Sequence, residues 1–160
     1  MGYIISLAGC PLVWKSQLIG CICLATAEAE HYSLSRCLRA LIPIRRTLAE
    51  LVENLGISSS LRATMSSTAF GDNSAALTLA TQQRLTSRTR YYHTASHHFW
   101  QHVFREGSTS NDQTGSEDNE ASEPKIHIKA VPTAEMNADY MTKSMPRPGF
   151  EANRKRVQGW

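Results

Sequence analysis

The sequence lacks several features that would identify it at once as a membrane, secreted or zinc-binding protein. No apolar run approaches the ~18 residues that a helix needs to cross a bilayer. The first residues lack the basic region and cleavage site of a secretory signal. The four cysteines form no CxxC pair, a spacing that often marks zinc or redox sites. We therefore expect an intracellular protein with reduced thiols and no membrane segment.

Acidic residues are missing from the start of the chain, where Glu28 is the first carboxylate. Five of the 14 acids fall within residues 107–124, which contain no Lys or Arg. The remainder has 17 basic and 9 acidic residues (14 less 5), a net charge of +8. Such a basic body suits a polyanionic partner and is equally consistent with a solvated surface.

The overall composition is that of one folded domain. Of the 160 residues, 41% are hydrophobic and 19% are charged, which suits a chain with a single core. Residues 107–124 are the exception, because their Ser, Gly, Asn and acidic side chains cannot bury enough apolar surface to become ordered. We predict a disordered acidic insertion there, within a domain that spans residues 1–160.

Apolar patterning predicts an α/β domain with a mixed sheet flanked by helices. One long helix should begin at Thr26, which would cap it, and end before Gly56, with Pro43 kinking or splitting it. A turn is predicted at Gly9-Cys10-Pro11. The predicted strands are Tyr3–Ser6, Leu12–Trp14, Leu18–Ala25, Ser66–Phe70 and Lys125–Val131, and the further helices are Ser74–Thr81, His93–Arg105, Thr133–Met145 and Glu151–Val157.

Two pairs of histidines, His93 with His97 and His98 with His102, have the spacing that one helical face could present to zinc. Neither an HExxH motif nor a cysteine partner accompanies them. Solvated or nucleic-acid-facing histidines are therefore the favoured interpretation.

A basic connection between two predicted helices contains Arg84, Arg88 and Arg90. These side chains form a candidate phosphate-contacting patch, as a nucleic-acid-binding protein would require.

Four short motifs follow one another along the chain. They are the strand Gly2–Trp14; Ala-Glu-Ala-Glu-His-Tyr-Ser-Leu-Ser at 27–35; Gly-Asp-Asn-Ser-Ala-Ala at 71–76 with Ser-Arg-Thr-Arg at 87–90; and Val-Pro-Thr, Ala-Asp, Thr-Lys and Pro-Arg-Pro-Gly-Phe-Glu within 131–151. Each is weak alone. Taken in order over nearly the whole chain, they resemble the ribonuclease H domain of copia-type LTR retrotransposon Pol polyproteins.

The resemblance implies a ribonuclease H-like fold and cleavage of the RNA strand in RNA–DNA hybrids. Members of that family use two divalent ions, normally Mg²⁺ and alternatively Mn²⁺, held by carboxylates. Carried over residue by residue, the catalytic, metal-binding residues are Glu30, Asp72 and Asp139. From position alone, these acids would usually be a helix-dipole partner, a turn or cap residue and a solvated helix residue.

One of the family's ligands has no counterpart here. The family's first carboxylate is an Asp on its first strand, upstream of the segment that Gly2 and Tyr3 match, and no acid precedes Glu28. The resemblance therefore implies a partial domain that lacks the first, central strand, with an upstream polyprotein segment as the partner that could supply it. We expect impaired or lost hydrolysis, and the alternatives are a non-catalytic nucleic-acid-binding module or a transposon relic without a task.

Overall fold

A computed structural model describes residues 1–57, 66–82, 89, 92, 97–104 and 126–159. Within those residues the chain is a mixed α/β structure with two small sheets and three α-helices. The elements in chain order are β1 (Gly2–Leu7), β2 (Cys10–Ser16), α1 (Thr26–Asn54), β3 (Ser67–Gly71), α2 (Ser74–Gln82), β4 (Ile126–Ala130) and α3 (Arg147–Gln158).

Strands β1 and β2 form an antiparallel hairpin. Leu7 lies opposite Cys10, which leaves Ala8 and Gly9 as a two-residue turn with φ angles of 50° and 82°. Positive φ at both positions gives the turn the twist of its flanking strands. The turn thus begins earlier than the predicted Gly9-Cys10-Pro11, because Pro11 is accommodated inside β2 next to a β-bulge.

Helix α1 is continuous, so the prediction of one long helix is confirmed and its splitting at Pro43 is wrong. A proline removes the hydrogen bond to the carbonyl four residues earlier, here that of Arg39. Both Pro43 and Arg39 are exposed, so water can solvate that carbonyl and the helix continues.

The two ends of α1 differ in how they are capped. Ala25 occupies the N-cap position instead of Thr26, and no side chain caps it. Glu28 accepts a hydrogen bond from the backbone N–H of Leu24 at 2.8 Å, which fits an acid in the first turn. Gly56 ends the helix as predicted, because its φ of 64° suits a left-handed C-terminal residue.

Strands β3 and β4 pair in parallel, with Ser67 opposite Ile126 and Gly71 opposite Ala130. Helix α1 contacts both β1 and β3, so both sheets lie against the same helix. The predicted single mixed sheet is thus divided into an antiparallel pair and a parallel pair, which no strand of the described ranges joins.

The buried core lies between α1, α2 and the parallel pair. Its six buried members are Leu38, Ala69, Ala80, Phe99, Val103 and Ile126. Close packing of these side chains from five different chain segments fixes the distance between α1 and β3.

The segment Leu18–Ala25 is not the buried strand that its apolar composition predicts. Leu18, Ile22 and Leu24 are 92%, 88% and 87% exposed. A strand needs a neighbouring strand to satisfy its backbone, and no described strand pairs with this run.

The predictions of two further helices are also wrong for the residues that the structure describes. Thr133–Met145 forms two short 3-10 helices, Thr133–Glu135 and Asn137–Met141, because Met136 between them is extended. Within His93–Arg105, the described residues form one 3-10 turn at Trp100–His102, and Val103 then becomes extended to pair with β4.

No helix in the described ranges is long and apolar enough to cross a membrane. The acidic insertion predicted at 107–124 lies outside the described residues.

Leu38→Ala should destabilise the protein by about 2–5 kcal/mol, because Leu38 has no exposed area and its truncation leaves a cavity. Leu55→Ala is the matched control at the end of the same helix, where the side chain is 69% exposed and the expected loss is about 0.5 kcal/mol or less. Urea unfolding followed by circular dichroism measures both. Equal losses would contradict the core assignment.

Candidate functional site

Glu30 lies near the start of α1 and faces the space between the two sheets. That space is a cleft of about 1500 Å³ lined by β1, β3 and α1, which we name the interstrand cleft. Ser33, one turn further along α1, donates a hydrogen bond from its hydroxyl to the carbonyl of Gly2 at 3.0 Å. This bond joins the start of α1 to β1, and it therefore fixes the position of Glu30 relative to β1.

Asp72 directly follows β3 and also lines the interstrand cleft. The next residue, Asn73, accepts a hydrogen bond through Oδ1 from the backbone N–H of Ala76 at 3.1 Å. Asn73 therefore caps α2, and Asp72 is held between the end of a strand and the start of a helix.

Asp139 lies in the 3-10 helix Asn137–Met141, which packs against β1. The hydroxyl of Ser16 donates to the carbonyl of Met141 at 2.9 Å. Gly2 permits this close approach, because a Cβ at that position would collide with the side chain of Thr142. The hairpin thus holds the Asp139 segment in place.

Two of the three predicted acids, Asp72 and Asp139, lie around the ammonium group of Lys143. Its Nζ lies 2.6 Å from Oδ2 of Asp139 and 3.8 Å from Oδ2 of Asp72. Glu30 also interacts electrostatically with Lys143 and with both aspartates. Sequence reasoning missed Lys143, although its position four residues after Asp139 is the spacing of a helical ion pair.

The pKa of Glu30 is raised, first by desolvation and then by repulsion from the carboxylate of Asp72. Its side chain keeps a large accessible area at the cleft mouth, but the walls of the cleft exclude enough water to disfavour the charged form. The Asp139 hydrogen bond is the first cause that raises the pKa of Lys143, so this group stays cationic.

Three carboxylates provide the hard oxygen donors that Mg²⁺ and Mn²⁺ prefer. Over the described ranges, however, no three acidic, histidine or cysteine side chains form a cluster ready to hold a metal ion. The donor chemistry fits a divalent cation, and Lys143 supplies the positive charge in the metal-free arrangement. The predicted nucleic-acid contacts Arg84, Arg88 and Arg90 lie outside the described residues.

A separate cluster of histidines lies against α1. Nε2 of His31, which is 1% exposed, lies 3.2 Å from Nδ1 of His97. Nδ1 of His98 lies 3.4 Å from the hydroxyl of Ser35. His97 and His98 are both half-buried against α1, so they are only partly solvated. Desolvation lowers the pKa of His97.

The described residues do not support the two histidine pairs that spacing suggested as zinc ligands. His98 and His102 do not share a helical face, since His98 and Phe99 lie in a turn before the 3-10 helix Trp100–His102. His93 lies outside the described residues. The pairing of His97 with His31 was missed, because the two residues are distant in sequence and carry no local signal.

No protein-family model, no curated protein and no solved structure matches the chain. Its function therefore has to be inferred from its residues and their geometry.

Glu30→Gln should stabilise the metal-free protein at neutral pH, raising the unfolding midpoint by on the order of 1–2 °C, because it removes a partly desolvated charge and its repulsion with Asp72. A raised pKa in the folded state means that ionisation of Glu30 costs stability above its folded pKa, and this cost vanishes below its ordinary value of 4.5. The stabilisation by Glu30→Gln should therefore disappear as the pH falls from the folded pKa of Glu30 to 4.5. Thermal unfolding in EDTA measures it, and Glu50→Gln, an exposed change on the same helix, should leave the midpoint unchanged.

His97 should make stability depend on pH near neutrality. Its folded pKa lies below the ordinary value of 6.5, so stability is fully present above 6.5 and is lost as pH falls from 6.5 toward the folded pKa. His97→Gln should flatten this part of the profile, whereas His127→Gln, at an exposed position, should not. Urea midpoints between pH 5 and 8 test this, and an unchanged slope in His97→Gln would contradict it.

Proposed function

We propose that this chain is a ribonuclease H-like domain of the copia retrotransposon type, whose ancestral reaction is hydrolysis of the RNA strand in RNA–DNA hybrids. The observation that carries the proposal is that Asp72 and Asp139 lie around one ammonium group, that of Lys143, with Glu30 in electrostatic range of all three. The resemblance to the copia-type family predicts these acids as ligands, and they come from three separate chain segments. Three acids from separate segments would not be expected to lie close together by chance.

The proposed role of the three carboxylates is to hold Mg²⁺ or Mn²⁺. When bound, a pair of such ions supplies Lewis-acid stabilisation of the attacking and leaving oxygens in phosphodiester hydrolysis. Glu30 and Asp72 both line the interstrand cleft. Asp139 belongs to the 3-10 helix that packs against β1 of the hairpin. Lys143 offsets part of the negative charge of the acids in the metal-free arrangement.

We propose further that hydrolysis is impaired or lost in this chain. Three acids are fewer than the four that the family pattern contains, and residues 1–27 provide no other carboxylate. Lys143 also competes with metal ions for oxygens of Asp139 and Asp72. Both features lower the affinity for divalent cations.

The second candidate function is non-catalytic binding of nucleic acid. The observation that favours it is the net charge of +8 outside residues 107–124. Under this alternative Arg84, Arg88 and Arg90 contact phosphates, and affinity falls steeply with salt because bound counterions are released. A relic without any task would show neither binding nor metal affinity.

The test uses a fluorescent RNA hybridised to DNA, incubated with the chain in Mg²⁺, Mn²⁺ or EDTA. We expect no cleavage above the EDTA blank, together with a Mn²⁺-dependent rise in the unfolding midpoint that Asp72→Asn abolishes. Glu135→Gln is the matched control, since this exposed acid belongs to the same C-terminal region but not to the cluster. Circular dichroism verifies that each variant is folded.

Cleavage that Asp72→Asn removes would support the ribonuclease assignment and contradict the expected loss of activity. A folded chain that neither cleaves the hybrid nor gains stability from Mn²⁺ would overturn the metal-site proposal. Salt-dependent hybrid binding in that case would favour the second candidate.

A further inference from the structure

Trp14 is a large aromatic side chain that the fold leaves mostly in solvent. It lies on β2, opposite Ile4 of β1, and it is 61% exposed. A tryptophan in a folded domain is on average highly buried, because its indole carries much apolar area. Trp14 therefore presents most of a flat aromatic face to the solvent beside the hairpin.

The face of the hairpin that carries Trp14 is also the face that contacts the C-terminal part of the chain. Side chains two positions apart on a strand point to the same face, so Trp14 and Ser16 share one. The Ser16 hydroxyl donates to the carbonyl of Met141 at 2.9 Å. Met141 ends the 3-10 helix Asn137–Met141, which packs against α3, and α3 itself contacts β2. Trp14 therefore lies on the same side of the hairpin as α3.

Helix α3 is strongly basic. It contains four cations, Arg147, Arg154, Lys155 and Arg156, and one acid, Glu151. Its net charge is therefore +3 (4 less 1) over 12 residues. Arg147, Lys155 and Arg156 are exposed, whereas Arg154 is half-buried. The helix thus presents a basic surface to the solvent next to the exposed indole.

The helix dipole accounts for only part of this charge. Lys155 and Arg156 lie in the last turn, where the dipole favours cations. Arg147 lies at the opposite end, where the dipole disfavours a cation, and its side chain is 89% exposed. Arg156 also donates through Nη1 to the carbonyl of Ala134 at 3.4 Å, which holds its guanidinium beside the preceding segment. Cations at both ends of an exposed helix suit an extended polyanion.

The carboxylates of the acid cluster are largely shielded from the solvent. Asp72 and Asp139 expose 13% and 17% of their side chains, whereas Lys143 exposes 50%. The lysine is therefore the member of this group that faces the solvent most, and it offsets part of the negative charge. A polyanion that lies along α3 meets cations at the surface rather than these acids.

We propose that Trp14 and the exposed cations of α3 form a binding surface for single-stranded nucleic acid, which we name the Trp14–α3 surface. The indole stacks on one unpaired base, and Arg147, Lys155 and Arg156 contact phosphates of neighbouring nucleotides. An aromatic platform beside a basic track binds single strands with little sequence preference, on sites of roughly four to eight nucleotides. The bases of a duplex are already stacked on one another, so a duplex cannot use the indole.

This surface is separate from the sites of both candidate functions. It uses neither the three acids nor a metal ion, and it does not include Arg84, Arg88 or Arg90. Single-strand binding by Trp14 and α3 therefore does not rest on the proposed ribonuclease ancestry.

The probe is a fluorescein-labelled DNA of mixed sequence, about 16 nucleotides long, which exceeds the expected site. Its anisotropy is recorded as the full chain is added in EDTA at low salt, with the strand alone or annealed to its RNA complement. Trp14→Ala should weaken single-strand binding at least about fivefold and leave binding of the hybrid unchanged. Trp14→Phe keeps an aromatic ring and should retain most of the affinity for the single strand.

The double variant Lys155→Gln with Arg156→Gln removes two phosphate contacts. Its single-strand affinity should fall, and the slope of log affinity against log salt should become shallower by about 1.4. Arg46→Gln with Lys129→Gln is the matched control, because it removes two exposed cations from α1 and β4. This control should keep both the affinity and the slope, and circular dichroism verifies that every variant is folded.

Three results would overturn the proposal. The first is no change in the anisotropy of the single strand at about 100 μM chain, the weak end of non-specific binding. The second is equal single-strand binding by Trp14→Ala and the unchanged chain, which would mean that no base stacks on the indole. The third is an equal loss in the matched control pair, which would indicate diffuse charge.

The triple variant Arg84→Gln, Arg88→Gln and Arg90→Gln separates this proposal from the second candidate function. The Trp14-dependent binding of the single strand should persist in it. If the triple variant abolishes that binding while the α3 double variant leaves it intact, the second candidate function is supported and the Trp14–α3 surface is not. Because EDTA is present throughout, a failed nuclease or metal test leaves these outcomes unaffected.

Discussion

The packing of both sheets on helix α1 is the interaction on which the rest of the structure depends. No described strand joins β1 to β3, so α1 holds the hairpin and the parallel pair in position. On one side Leu38 is fully buried in the core, and on the other Ser33 bonds to the carbonyl of Gly2. The same helix carries Glu30. Any shift of α1 therefore changes the distance between Glu30 and Asp72, which couples stability to the geometry of the acids.

The acid cluster stores unfavourable electrostatic energy that Lys143 only partly offsets. Desolvation and then repulsion from the neighbouring carboxylates raise the pKa of Glu30, and a sequence selected only for stability would not place these acids together. Perturbed carboxylates in a cleft are typical of functional sites, although structural ion-pair networks produce them too. The salt bridge from Lys143 to Asp139 is half exposed on the lysine side, so solvent screens it and its stabilising effect is small.

Local patterns predicted part of the local structure. The hairpin and α1 could be predicted because strand alternation, turn residues and helical spacing act over a few positions. The apolar run Leu18–Ala25 led to a wrong prediction of a buried strand. Composition cannot reveal whether a neighbouring strand is available to pair with it. Met136, whose extended backbone divides a predicted helix, carries no such signal either. The meeting of Glu30, Asp72 and Asp139 depends on the path of the whole chain, and only the family resemblance predicted it.

The parallel pairing of β3 with β4 has a consequence for the order of folding. The hairpin closes over two residues and α1 forms from local contacts, but Ser67 must find Ile126 across a long stretch of chain. Loop closure of that length delays pairing, so the hairpin and helix precede the parallel pair. Asp139 follows β4 in the sequence. A nascent chain on the ribosome therefore has no assembled acid cluster until its C-terminal part has emerged and docked.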